Sequence, residues 1–202
     1  MKNQERLFTP LGFDHLTIAC NDNTAWSHVL ERFGFIRVRA GQHELDPSDA
    51  DDYDAYFGIA MARGNIRFFL VDPLTKRFTK GSVSAFLTNH GNMQVMEAGV
   101  RVDSMRKAHE ELTQKGLFFI PQYLYGDTFG SCITALLSFS TLSSFRWKLV
   151  ERTNGEPTGI DHLAIAVRDL KGWVQFYKSL GFDVVYTPHE QEEGLIEGKE
   201  SA

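Results

Sequence analysis

Two Asp-His pairs, Asp14-His15 and Asp161-His162, lie in near-identical surroundings 147 positions apart (162 − 15). Imidazole and carboxylate groups hold divalent metals through their lone pairs, and imidazole also moves protons near neutral pH. The two histidines, His15 and His162, are therefore the first candidates for chemistry. On an extended strand His162 shares a face with Ala164 and Ala166, while Leu163, Ile165 and Val167 occupy the other face. His15 repeats the pattern with Thr17 and Ala19. Small neighbours leave room beside each imidazole. A worn third copy places Glu97 at the equivalent position, so His15 and Glu97 form a candidate His/Glu pair. The competing reading of a strand histidine is a hydrogen-bonded structural residue. There is no Gly-rich phosphate loop, no Cys-His pair in a recognisable context and no nucleophile elbow. His28 and His109 fall on helices, and His43, His90 and His189 fall in loops or at helix ends, as surface residues.

The elements that must position these side chains come from an internal repeat. Residues 12–38 align without a gap on residues 159–185. Gly12, Asp14, His15, Leu16, Ile18, Ala19, Asp22, Trp26, Gly34, Phe35 and Val38 each have an identical partner. Leu16, Ile18 and Cys20 alternate as on a strand buried on one face. Asp22 and Asp169 stand where a helix N-cap is needed. Trp26, Val29, Leu30 and Phe33 then follow amphipathic helical spacing, as do Trp173, Phe176, Tyr177 and Leu180. Gly34 and Gly181 end the helices. Residues 96–120 form the third copy, at a shift of 65 (181 − 116), which superposes Gly116 on Gly181 and Glu97 on His162.

Further strands are expected at Tyr56 to Met61, Ile66 to Val71, Cys132 to Phe139 and Phe145 to Val150, with a short helix from Ser82 to His90 stopped by Gly91. The order is β-α-β-β-β over about 12–73, again over about 93–152, and β-α-β from Gly159 to Tyr186. The expected fold class is α+β: paired βαβββ units forming a curved mixed sheet with helices outside. The expected domains are 1–155, with two such units, and 156–202, an incomplete third unit with an acidic tail. Glu44 to Asp54 reads as a solvated acidic loop without the spacing of a calcium loop.

Hydrophobic content of 43% and charged content of 23% are those of a globular chain. The net charge of −5 argues against a nucleic-acid partner, which needs a basic excess. No long apolar run suggests a signal peptide or a membrane span, so a cytoplasmic location is expected. Cys20 and Cys132, in apolar strand-like runs, read as buried free thiols. The 16 phenylalanines suggest aromatic packing against sheets and an aromatic-lined cavity.

Paired βαβββ units with Asp-His on an apolar strand and Gly-Phe after the helix resemble the vicinal-oxygen-chelate (glyoxalase/bleomycin resistance/dioxygenase) superfamily. Within it the chain is most similar to 4-hydroxyphenylpyruvate dioxygenases, through Leu11-Gly12-Phe13-Asp14-His15, Tyr177-Lys178-Ser179-Leu180-Gly181-Phe182 and Gly159-Ile160-Asp161-His162-Leu163. That resemblance implies an Fe(II) site of two histidines and one glutamate in a C-terminal domain, with His162 at the first ligand position. It also implies that the second histidine and the glutamate belong to a unit lying past residue 202. In the N-terminal domain, Lys148 falls where the resembling strand of the catalytic domain carries its glutamate. A charged lysine is no ligand, and a Lys148–Glu97 salt bridge is expected instead.

Three functions follow as expectations. The first is a dioxygenase relative acting on an aryl 2-oxo acid with an incomplete iron site. The second is a non-catalytic module that binds a small aromatic ligand. The third is a glyoxalase-type metal-dependent lyase or isomerase whose His15/Glu97 site is shared across a dimer. An open sheet edge suggests a homodimer.

Overall fold

The computed structural model describes residues 8–43, 56–73, 83–119, 123–127, 129–138, 145–153, 155–165, 167, 169–179 and 184. The chain divides into two compact units, Met1–Leu163 and Ala164–Ala202. The acidic loop expected at 44–54, the strand expected after Gly181 and the tail lie outside the described residues.

The first unit holds β1 (Pro10–Ala19), α1 (Asn23–Arg32), β2 (Ile36–His43), β3 (Tyr56–Arg63), β4 (Ile66–Pro73), α2 (Val83–His90), β5 (Gln94–Val102), α3 (Met105–Gln114), β6 (Phe118–Phe119), β7 (Tyr123–Asp127), β8 (Gly130–Ser138) and β9 (Arg146–Arg152). Among the described residues the strands form one mixed sheet in the order β2-β3-β4-β1-β5-β9-β8-β6, with β7 also on β8. Each βαβββ unit pairs its first strand in parallel with its last, β1 with β4 and β5 with β9. The units join where β1 runs antiparallel to β5. This is the curved α+β architecture of the glyoxalase/dioxygenase-like fold. The strand expected directly after α3 is split into β6 and β7, both on β8.

Local sequence sets the helix ends. The Asp22 carboxylate accepts from the Ala25 amide at 2.8 Å, and the Ser104 hydroxyl accepts from Lys107 at the start of α3. Gly34 and Gly116 take φ of +83° and +82° after α1 and α3, a conformation that a Cβ disfavours.

The core lies on both faces of the sheet. One face packs Ile18, Cys20, Ile59, Met61 and Leu70 with Trp26 and Leu30 of α1, and Val102, Ala135 and Leu149 with Met105, Ala108 and Leu112 of α3. α2 closes one end of the opposite face, through Val83, Phe86 and Leu87 on Ala19, Val71 and Met96. Cys20 and Cys132 are both buried and neither forms a disulfide.

The inward face of α1 differs from the expected stripe. Val29 and Phe33 are exposed, whereas Asn23 and Ser27 are buried. Ser27 satisfies its hydroxyl by donating to the Thr24 carbonyl and accepting from Arg37. A hydrogen-bonded small polar residue can thus face the sheet where hydropathy alone favours its apolar neighbours.

After β9 the chain returns to the sheet. The Thr158 amide donates to the Phe13 carbonyl at 2.8 Å, and Arg67 donates to the Glu156 carbonyl at 3.2 Å. The strand expected to carry His162 is not formed: residues 159–165 join no ladder among the described residues. An alternating sequence becomes a strand only when a neighbour takes up its backbone groups.

In the second unit, α4 (Leu170–Ser179) is capped as expected, with Asp169 accepting from the Gly172 amide at 2.8 Å.

Candidate functional site

The central strands β1, β5 and β9 bring His15, Glu97 and Lys148 to one point. Register places His15 opposite Gly99 and Thr17 opposite Glu97, and Lys148 beside Gly99. Residues in register on adjacent strands share a sheet face. Gly99 is required here. A Cβ on it would lie 2.7 Å from His15 Cε1 and 2.8 Å from Nδ1, so the imidazole occupies the space a side chain would fill.

Glu97 Oε1 is the point of convergence. Lys148 Nζ lies 2.6 Å away, the Thr17 hydroxyl donates to it at 3.1 Å, and His15 Nε2 stands at an ion-pair distance of 3.8 Å. The other imidazole nitrogen, Nδ1, is 2.8 Å from Asp14 Oδ2. Asp14 in turn receives Arg152 through Nε at 2.6 Å and a second guanidinium nitrogen at 2.7 Å, and Arg67 at 3.4 Å. Arg152, Asp14, His15, Glu97 and Lys148 thus form a string of alternating charge. Asp14, His15, Glu97 and Arg152 are buried, and the Lys148 side chain is 21% exposed.

Asp14 reaches this string through a β-bulge. The β1–β5 register slips between Phe13 and His15, which leaves Asp14 as the extra residue. A bulge re-aims the side chain it carries. On a regular strand Asp14 and His15 point to opposite faces.

The string fixes protonation. Burial works against the Asp14 carboxylate, but the bonds from His15 and Arg152 outweigh it and hold the acid well below its usual range. Burial likewise opposes ionisation of Glu97, and the Lys148 ammonium, with His15 and Arg146, more than offsets it. For His15, burial favours the neutral ring, yet Asp14 and Glu97 on either side raise its pKa above 6.5 against the opposing charge of Lys148. Asp14, being ionised, can only accept, so His15 Nδ1 is the donor.

Aromatic rings adjoin the string. Phe69 meets the His15 ring edge-on at 4.9 Å, and Phe129 packs on Phe69 at 5.3 Å. Arg67 lies over the Phe129 ring at 5.3 Å.

Of the sequence candidates, His15 and Glu97 meet as the repeat implied, and the Lys148–Glu97 salt bridge forms. His162 does not join a strand face. Its side chain is 82% exposed, with Nδ1 3.1 Å from Asp161. Asp14, Thr17, Arg67 and Arg152 were not singled out from the sequence. The repeated Asp before each His was the available signal for the first of them.

Residues 159–200 match the family model of the Glyoxalase/Bleomycin resistance protein/Dioxygenase superfamily. Among solved structures, the chain is similar to methylmalonyl-CoA epimerase from Mycobacterium tuberculosis. The TM-score is 0.54 at 17% identity, over 76% of this chain and 94% of that one. A Streptomyces coelicolor methylmalonyl-CoA epimerase in complex with 2-nitronate-propionyl-CoA gives 0.52 at 15% identity, over 73% and 99%. The chain has the glyoxalase/dioxygenase-like fold. The family model matches residues 159–200 alone and the solved neighbours show the fold, and neither comparison singles out the 4-hydroxyphenylpyruvate dioxygenases. No curated protein matches the sequence.

Members of the matched superfamily commonly bind divalent metals. A divalent ion between His15 and Glu97 needs the lone pairs of Glu97 Oε1, which already faces an ammonium at 2.6 Å and a hydroxyl at 3.1 Å. Lysine adds positive charge and offers no lone pair. Among the described residues no group of three His, Cys, Asp or Glu side chains is arranged for a metal. The residues present do not fit an Fe(II) centre. No helix of the described residues is long and apolar enough to cross a membrane.

Proposed function

We propose that this chain is a binding module of the glyoxalase/dioxygenase superfamily that takes a small carboxylate-bearing ligand without a metal, aryl 2-oxo acids first among them. The observation that carries this reading is the charge string, which ends on the 21%-exposed Lys148 and whose His15 ring packs on Phe69, with Phe129 behind it. A lysine ammonium attracts a carboxylate as a point charge, and aromatic edges and faces take an aryl group. The neighbours solved with methylmalonyl-CoA and 2-nitronate-propionyl-CoA add acyl-CoA thioesters to the ligands worth testing.

Isothermal titration with an arylpyruvate, an aliphatic 2-oxo acid, an aryl acetate and methylmalonyl-CoA tests the proposal. Binding of the arylpyruvate, weakened in Lys148→Gln, is expected. Absence of binding across the panel removes the reading.

The approach of His15 Nε2 to Glu97 at 3.8 Å favours a second reading, a glyoxalase-type lyase site completed by a second copy of the chain in a homodimer. Sedimentation giving a monomer at micromolar concentration excludes it. The dioxygenase reading, with an aryl 2-oxo acid and Fe(II), needs ligands beyond those of the described site. Stoichiometric iron together with dioxygen uptake on adding 4-hydroxyphenylpyruvate would establish it.

A further inference from the structure

We infer that the Lys148 ammonium is the resident cation of this site, a covalently attached charge standing where a divalent ion would have to sit. Three adjacent strands aim one side chain each at a single point: His15 from β1, Glu97 from β5 and Lys148 from β9. An imidazole and a carboxylate from adjacent strands supply two members of a facial metal triad, and a third carboxylate or imidazole on β9 would complete it. Lys148 occupies that third position. Its Nζ is 2.6 Å from Glu97 Oε1, while His15 Nε2 is 3.8 Å from the same oxygen. A metal–carboxylate bond is about 2.0–2.2 Å long, so an ion on that oxygen and Nζ would compete for the same space with like charge.

The charge balance supports the same conclusion. Glu97 is buried, and a buried carboxylate needs a partner cation. In a metal site the ion supplies it and leaves when chelated. Here β9 supplies it permanently. The Thr17 hydroxyl takes a further lone pair of the same oxygen at 3.1 Å, as a neighbouring group does around a settled ion pair. The Glu97 charge is then balanced without a metal whatever ligand the site binds, so this inference and the ligand reading can fail separately.

The test compares wild type with Lys148→Glu and Lys148→Gln, each incubated with zinc, desalted and assayed for bound metal. Thermal unfolding is recorded with and without zinc, and circular dichroism confirms folding. Wild type is expected to retain no stoichiometric zinc and to show no zinc-dependent rise in melting temperature. Lys148→Glu is expected to retain roughly one zinc per chain through one imidazole and two carboxylates, and to lose it when Glu97→Gln is added. Stoichiometric zinc in wild type, lost in His15→Ala, would overturn the inference. So would a folded Lys148→Glu that ignores zinc. Should Lys148→Glu not fold, Lys148→Gln removes the charge at nearly constant size. It is expected to gain a concentration-dependent stabilisation by zinc, and a folded Lys148→Gln without that response overturns the inference equally.

Discussion

Arg152 and Asp14, 138 positions apart in sequence, meet through two hydrogen bonds of 2.6 Å and 2.7 Å with both side chains buried. β9 and β1 are not neighbours in the sheet, because β5 lies between them. The pair therefore reaches across β5, tying together the two halves of the fold. The fork geometry matches guanidinium to carboxylate and resists exchange for lysine.

Replacing Arg152 by Met should cost up to about 3–5 kcal/mol, because it leaves the buried Asp14 carboxylate with only His15 and the longer contact to Arg67. Urea unfolding checks this. In the double variant Arg152→Met with Asp14→Asn, the loss should be smaller than the sum of the single losses, since the buried charge has also been removed. Strict additivity would mean that the pair is not coupled.

Gly99→Ala should destabilise by about 1–3 kcal/mol, as overpacking does. The added Cβ would meet the His15 ring at 2.7 Å, and that ring is held by Asp14 on one side and packed by Phe69 on another. Adding His15→Ala removes the obstacle, so the alanine at 99 should cost much less in that background. Equal costs in both backgrounds would place the constraint elsewhere.

Much of this arrangement was legible in the sequence, because repeats and period-2 alternation report local structure. The alternation of Leu16, Ile18 and Cys20 placed β1, Gly34 and Gly116 marked the helix ends, and the alignment of Glu97 with His15 anticipated their meeting. Asp14 was not legible as a partner of His15, since alternation assumes a regular ladder and the bulge breaks it. Nor was Arg152. Its bond to Asp14 depends on strand order, which no local pattern encodes. The His162 strand failed for a related reason: alternation shows that a segment can pair, but a strand needs a neighbour.

Glu97→Gln should lower the pKa of His15, measured by proton NMR titration of the imidazole. Two carboxylates flank that ring, Asp14 at 2.8 Å and Glu97 at 3.8 Å, and the substitution removes the second charge while Lys148 remains to repel the imidazolium. An unchanged His15 titration would show that Asp14 alone sets its charge.

Stability against pH should fall off on both sides, for separate reasons. Asp14 and Glu97 have their pKa values lowered in the folded chain, from ordinary values of 3.8 and 4.5. Their contribution is present above those values and is lost as pH falls through the folded ones, because the unfolded chain takes up protons first. His15 has its pKa raised above 6.5, so its contribution is complete below 6.5 and is lost as pH climbs through the folded value. The plateau thus lies between 4.5 and 6.5 for these three groups. Each unmatched proton changes stability by about 1.4 kcal/mol per pH unit within its window. Urea unfolding at intervals from acid to mildly alkaline pH measures both limbs. His15→Gln should flatten the alkaline limb and reduce the acid limb only in part, because Arg152 still holds Asp14 and Lys148 still holds Glu97. An alkaline limb of the same slope in that variant would assign the loss to another group and remove His15 from the charge string as a titrating member.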